Sequence, residues 1–173
     1  MSEDDSHKDV YAHFGLAIFR AQLLEHGIVN ALVVCDLIPN RRHQAKSREE
    51  WIAQVDQFMD GHFEKTAGTL MKALRKAVTV SDELEQSLSR SLKLRNFLVH
   101  HFFRERVASW YTEHGRGDMI AELETAGDQF GETDQLIGAA VQPLKDRYGF
   151  TQEQEDQLLE ELKEAAILGK PIG

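Results

Sequence analysis

The long apolar stretch from about Val10 to Leu37 constrains the fold most. Its apolar residues recur at steps of three and four, which is the spacing of one face of an α-helix. One stripe consists of Phe14, Ile18, Ala21, Ile28, Leu32 and Cys35, with Glu25 among them. A second, adjacent stripe consists of Leu16, Phe19, Leu23, Val33 and Leu37. A helix with so wide an apolar surface is central to a bundle, or it contacts a second subunit as well as its own core.

The rest of the chain has the same helical character. It contains only 3 Pro and lacks the alternating pattern of β-branched residues that predicts a strand. The predicted architecture is therefore all-α, a single helical bundle of five or six helices over residues 10–169. Residues 1–9 form an acidic N-terminal tail that we expect to be disordered. A chain of 173 residues suits one such domain.

Prolines, glycines and capping residues predict where the helices begin and end. Pro39 ends the first helix, and Ser47 with Glu50 begins the next one as a capping box. Ser81 begins a long helix over residues 82–113, which ends at Gly115–Gly117. The other predicted signals are an interruption at Asp60-Gly61, N-caps at Asp118 and Thr151, a kink at Pro143 and a C-cap at Gly149.

Composition indicates an ordinary globular protein, with 42% hydrophobic and 28% charged residues. The single cysteine, Cys35, excludes a disulfide framework and favours a reducing compartment. No signal peptide is recognisable, and the most apolar stretch, Gly27–Ile38, is too short to span a bilayer. We therefore expect a cytoplasmic protein with no membrane partner.

The charge distribution is more informative than the net charge of −9, which disfavours a generic nucleic-acid coat. Bases outnumber acids over 40–48 and over 89–106, whereas acids dominate 118–164. Both basic stretches can be solvated faces, or the second can border a phosphate-binding groove.

The segment Leu94–Phe102 departs most from a plain helical core, because Arg95 and His100 lie inside an apolar, helix-forming stretch. Burying such groups is costly unless they are paired or open to a cleft. Arg95, Asn96 and His100 resemble the R-x4-6-H motif of the HEPN superfamily, in which Asn often follows the arginine. Phe102 stands where the HepT-type toxins of that superfamily have a tyrosine.

The resemblance implies a metal-independent endoribonuclease, or an RNA-binding relative without activity, of the toxin or phage-defence type. It also implies a homodimer in which two motif copies line one cleft, with RNA and a cognate antitoxin or other protein as candidate partners. Phe102 has no hydroxyl that could be modified, so a HepT-style partner that modifies the motif tyrosine does not fit. No cofactor is expected, because the di-iron and zinc spacings are absent from the sequence.

The chemistry assigns a role to each candidate residue. Histidine is a side chain that can act as base or acid near neutral pH, which makes His100 the candidate for proton transfer, whereas the Arg95 guanidinium can bind two phosphate oxygens. Asn96 shares a face with His100, but Arg95 and His100 point roughly 140° apart on a regular helix. A dimer resolves that divergence. The further candidates are His101 as a supporting residue, and Lys93, Arg104 and Arg106 as RNA-contacting residues.

The alternative is a non-enzymatic dimeric helical interaction protein in which Arg95 is a structural ion-pair partner. Glu25 lies on the apolar stripe of the first helix, a poor position for an unpaired carboxylate. A Glu25–Arg95 pair across the bundle is therefore expected under both hypotheses, since the glutamate could also orient a catalytic arginine. Phe102 is expected to pack in the core.

Overall fold

A computed structural model describes residues 3–149 and, beyond them, only the single positions 153, 157, 160, 163, 164 and 167; its side chains are described from Ser6 onward. Helix α1 (Glu3–Leu32) continues through a π-helical turn (Val33–Leu37) into the short helix α2 (Ile38–Arg41) and a 3₁₀ turn (Arg42–Gln44). The remaining helices are α3 (Arg48–Phe63), α4 (Ala67–Ala77), α5 (Asp82–His100), α6 (Phe102–Glu105), α7 (Val107–Trp110) and α8 (Glu113–Tyr148). The all-α prediction is confirmed for the described residues.

Helices α1 and α8 form the centre of the bundle, and α4 and α5 pack against them. The buried core contains apolar residues of all four helices, among them Ile28, Leu32, Leu74, Leu88, Leu98, Leu123 and Phe130. Each fully buried aliphatic or aromatic side chain of this kind contributes about 1.5–3 kcal/mol to folding. In contrast, α3 has no fully buried residue, so it lies on the outside of the bundle.

Two glycines let α1 and α8 approach closely. A Cβ atom at Gly27 would collide with the Asp134 carboxylate, and one at Gly127 would lie only 2.8 Å from a guanidinium nitrogen of Arg20. Arg20 in turn donates to Asp128 at 2.8 Å. Burial raises the pKa of Asp134 above its usual range, and the positive charge of Lys145 opposes that rise.

Three of the predicted caps are confirmed. Ser47 and Ser81 accept hydrogen bonds from the backbone N–H groups of Glu50 and Leu84, at 3.1 and 3.2 Å. The Glu50 carboxylate accepts a hydrogen bond from the backbone N–H of Lys46 at 2.7 Å. In a standard capping box it would accept from the N–H of the N-cap residue, which is Ser47. Gly149 ends α8 with a left-handed φ of 76°.

Two predicted glycine breaks are wrong, because neither interrupts a helix. Gly115 and Gly117 lie in the first turns of α8, whose N-cap is Thr112 and not Asp118. A Cβ at Gly115 would lie 2.4 Å from the backbone oxygen of Ser109, so the close approach of α7 explains this glycine. Gly61 lies inside α3, where it is exposed and surrounded by open space.

Pro39 also differs from its predicted role. Pro39 does not end the first helical run but lies in the first turn of α2, where its missing N–H is tolerated. Pro143 lies within α8, which continues to Tyr148. The predicted helix after Thr151 falls outside the described residues apart from the single positions named above.

The long helix predicted over 82–113 ends at His100 instead. At His101 the backbone leaves helical geometry (φ −131°, ψ −26°), and α6 and α7 follow as separate short helices. Phe102, directly after this bend, is completely buried. The bend lets this aromatic side chain enter the core. The free energy gained by burying it outweighs the helical propensity of the segment.

The N-terminal segment is helical from Glu3, whereas the sequence predicted a first helix from about Val10. Its Ser6 is buried and accepts a 2.6 Å hydrogen bond from Nε of Arg116. The ring of His7 packs against Trp110, with centroids 4.7 Å apart. Contacts with Arg116 and Trp110 hold this segment against α7 and α8. The local sequence does not predict them, because both partners lie about a hundred residues away along the chain.

The helical run from Ser6 to Gln44 is long and apolar enough to cross a membrane by length and composition. Half of its most apolar window is nevertheless buried inside the bundle, as in the core helix of a globular protein. Glu25 also lies in this run and pairs with Arg95. The segment therefore gives only weak evidence for a membrane span.

Candidate functional site

The motif residues lie in the last turns of α5, where the helix reaches the surface of the bundle. Leu84, Leu88 and Leu98 anchor one side of α5 in the core. Asn96 and His100 lie on its opposite side and are exposed. Arg95 occupies the boundary between these two sides, next to α1.

Arg95 pairs with Glu25 of α1, as predicted. The Arg95 Nε atom donates to Glu25 Oε1 at 3.2 Å, and the two side chains are 33% and 22% exposed. The contact is therefore an ion pair at the edge of the core and not a fully desolvated one. It holds the arginine side chain against α1 while part of its guanidinium remains open to solvent.

Lys93, Asn96 and His100 form one exposed face of α5. At about 100° per residue these three positions fall within an arc of roughly 60°. Within the described part of the chain, none of the three makes a hydrogen bond or ion pair. Arg95 points roughly 140° away from His100, so one protomer does not direct both at a single phosphate.

His101 and Arg104 form a second polar pair beyond the bend. The Arg104 guanidinium lies 2.9 Å from His101 Nδ1, and both residues are exposed. The geometry suits a neutral imidazole whose Nδ1 accepts from the arginine. The rings of His100 and His101 are 6.2 Å apart, so this pair lies next to the exposed face of α5.

Arg106, a candidate RNA-contacting residue, is already engaged within the bundle. Its Nε and one terminal nitrogen donate to the two carboxylate oxygens of Glu122, each at 2.7 Å. This bidentate contact raises the pKa of Arg106 above its usual value. The guanidinium also lies over the ring of Phe97, 5.3 Å from the centroid. Contact of Arg106 with a phosphate would require the Glu122 pair to open.

Phe102 packs in the core, as predicted. It stacks on Phe14 with ring centroids 5.9 Å apart and meets Phe97 and Phe103 edge-on. The position that carries a tyrosine in HepT-type toxins is thus a core position in this protein.

A buried polar cluster between α5 and α8 was not predicted. The Thr133 hydroxyl lies 2.7 Å from the hydroxyls of both Ser87 and Ser91, and the Gln129 amide donates to Ser87 at 3.0 Å. Arg90 completes the cluster by donating to Gln129 Oε1 at 3.0 Å. Ser87 and Ser91 on the apolar side of α5, spaced four apart, were the sequence signal that could have revealed it.

An exposed apolar stripe runs along α1. Leu16, Phe19 and Leu23 are 48%, 53% and 49% exposed, although they belong to the second stripe of the sequence pattern. Leu37, at the end of the same pattern, is buried. The stripe is therefore uncovered only over the middle of α1, and Leu23 points roughly 160° away from Glu25 on the helix.

Comparison of the chain with protein-family models, with curated proteins and with solved structures found no match. Among the described residues, no group of three or more His, Cys, Asp or Glu side chains is arranged to hold a metal ion. A function must therefore be argued from the geometry of the α5 face and its surroundings.

Proposed function

We propose that this protein is a metal-independent endoribonuclease of the toxin or phage-defence type, acting as a homodimer with a HEPN-like bundle of five or six helices. The observation that carries the proposal is the exposed α5 face, where the side chains of His100, Asn96 and Lys93 make no hydrogen bond or ion pair among the described residues. Polar groups of a folded protein that lie together without a structural role are candidates for binding or chemistry. The resemblance of Leu94–Phe102 to the R-x4-6-H motif supports the same assignment.

The proposed reaction is an internal transfer at phosphorus. His100 removes the proton of a ribose 2′-hydroxyl, and the 2′-oxygen attacks the adjacent phosphate. Arg95 stabilises the charge on the phosphate oxygens as the bond to the 5′-oxygen breaks. A second copy of His100, protonated, donates a proton to the leaving 5′-oxygen. The products are a 2′,3′-cyclic phosphate and a 5′-hydroxyl, and no metal takes part.

The homodimer is argued from the exposed stripe of α1. Leu16, Phe19 and Leu23 present adjoining apolar side chains, which a monomer leaves in contact with water. Tyr11, itself exposed, packs against Phe103 of α6 with centroids 5.8 Å apart, and this contact forms a separate apolar surface near the end of the motif helix. A two-fold interface joins the same patch of both copies, and the proposed mechanism requires that this dimer also bring the two motif helices together.

The dimer can be tested by introducing a charged residue into the exposed stripe of α1. Phe19→Glu should convert the protein to a monomer in analytical ultracentrifugation at micromolar concentration. Ile52→Glu is the matched control, because Ile52 is an exposed apolar residue of α3, away from the stripe. A wild-type monomer, or dissociation by both variants alike, would contradict the proposed interface.

The test of the chemistry is cleavage of labelled single-stranded RNA in excess EDTA. Wild type should cleave at an unchanged rate in the chelator, and His100→Ala should lose roughly 10²–10⁴-fold in rate. His114→Ala is the matched control, since His114 is a highly exposed histidine at the start of α8. Equal degradation by wild type and His100→Ala would reveal a contaminant or another site.

The second candidate function is a non-enzymatic dimeric helical interaction protein that binds an antitoxin or another protein. The Glu25–Arg95 and Arg106–Glu122 pairs favour it, because they engage two arginines of the motif region in contacts within the bundle. Under this alternative RNA remains intact with every variant, while Phe19→Glu still dissociates the dimer. Both candidates place the protein in the cytoplasm.

A further inference from the structure

A groove between α5 and α8 opens beside the exposed α5 face. Its volume is about 760 Å³, within the range of about 300–1,000 Å³ typical of small-molecule sites. Leu94 and Phe97 of α5 and Ala121 and Ala126 of α8 give it a mainly apolar lining. The groove therefore suits a flat, largely apolar group of moderate size.

The rim of the groove on the α5 side is basic. Arg90 and Lys93 both line it and are exposed. Arg90 is held in place by its hydrogen bond to Gln129, and Lys93 makes no ion pair among the described residues. The one acid of the lining, Glu122, is bound on both oxygens by Arg106. The charge left for a ligand is therefore positive.

The groove is next to the proposed acid/base. Lys93, Phe97 and His100 follow one another along one side of α5, at spacings of four and three residues. The rise of 1.5 Å per residue separates Phe97 from His100 by about 4.5 Å along the helix axis. A ligand in the groove thus lies within one nucleotide of a phosphate at His100.

We propose that this groove binds the nucleobase adjoining the cleaved phosphodiester of single-stranded RNA. The base packs against Leu94, Phe97 and Ala121, and Lys93 with Arg90 binds the neighbouring phosphate. Such a combination of an apolar or aromatic platform and a basic edge is how proteins bind unpaired nucleotides. The inference rests on the proposed ribonuclease function and adds the part of the substrate that the groove accepts.

The test is titration of wild type with adenosine 5′-monophosphate and with uridine 5′-monophosphate, followed by amide chemical shifts in NMR. Shifts should concentrate at Phe97, Ala121 and Thr125. Ala121→Trp fills the groove from an exposed position and should weaken binding at least about tenfold. Ala139→Trp is its control, being an exposed alanine of α8 outside the groove. Lys93→Gln should also weaken binding, whereas Lys72→Gln on α4 should not.

The outcomes separate the groove from the enzyme. Inorganic phosphate that produces the same shifts as the nucleotides would overturn the base pocket, because only an anion site would remain. Equal nucleotide affinity of wild type, Ala121→Trp and Lys93→Gln would overturn it as well, even if RNA is still cleaved through His100. Nucleotide binding in the groove without any RNA cleavage would instead support the pocket and reject the ribonuclease.

Discussion

The two halves of α5 use polar side chains in opposite ways. In the first half, Ser87 and Ser91 are buried against α8 and are satisfied by Thr133 and Gln129. In the second half, the side chains of Asn96 and His100 face solvent and make no hydrogen bond or ion pair within the described part of the chain. Polar residues occur in both halves of the helix, and their polarity alone does not tell which of them are buried. The difference shows that a polar group marks a candidate site when the fold leaves it without a partner.

The buried half also determines the shape of the surface beside the exposed half. A satisfied polar cluster in a low-dielectric interior is worth more than its isolated hydrogen bonds, and it tolerates few alternative arrangements. Arg90 connects the cluster to the groove through Gln129. We therefore expect the register between α5 and α8, and with it the width of the groove, to depend on the Ser87–Thr133 contact.

After that of His100→Ala, the largest expected effect is the loss of catalysis in Arg95→Ala, at the edge of the exposed half. We expect RNA cleavage to fall about 10²–10³-fold, because a stabiliser of developing charge is removed. Arg95→Lys should restore only part of the rate, since an ammonium cannot reproduce the planar fork. Initial rates on one labelled RNA measure both variants. Full activity of Arg95→Lys would show that Arg95 does not contact the phosphate through two nitrogens.

The next effect tests the bend that separates α5 from α6. Phe102→Ala should lower the free energy of unfolding by about 3–5 kcal/mol, because the cavity lies in the core. Phe103→Ala, at a neighbouring position that is 36% exposed, should cost clearly less. Urea denaturation of the two variants gives the comparison. Similar losses for both would mean that Phe102 is not the residue that determines the bend.

A smaller effect tests the buried half directly. Thr133→Val keeps the shape of the side chain but removes the hydroxyl shared by Ser87 and Ser91, and it should cost about 1–3 kcal/mol. Thr125→Val on the exposed side of α8 should change stability by no more than about 0.5 kcal/mol. Thermal or urea unfolding measures both. A neutral Thr133→Val would show that the serines find other partners and that the cluster does not determine the register.

The smallest effect is expected at the pair between α1 and α5. Glu25→Gln should destabilise the protein by about 1 kcal/mol, because Glu25 and Arg95 are both partly exposed and solvent screens their attraction. If the glutamate orients Arg95, the same variant should also slow RNA cleavage. Unchanged cleavage would leave the pair with a structural role only.

The sequence by itself determined the features that depend on neighbouring residues or on helical periodicity. These are the all-α class, the caps at Ser47 and Ser81, and the left-handed end at Gly149. The pairing of Glu25 with Arg95 was also predictable, because a carboxylate on an apolar stripe needs a cation and Arg95 lies in an apolar helical segment. Each of these predictions depends on the chemistry of a few residues and not on where the helix lies in the bundle.

Only the tertiary structure decided the features that depend on contacts between distant segments. Gly115 allows α7 to approach α8, although its sequence context is typical of a helix break. Ser6 is ordered by Arg116, and His101 bends the chain so that Phe102 enters the core. The cluster at Thr133 likewise requires two helices in one register. Local propensities amount to about 1 kcal/mol or less per residue, so packing and buried hydrogen bonds of several kcal/mol override them.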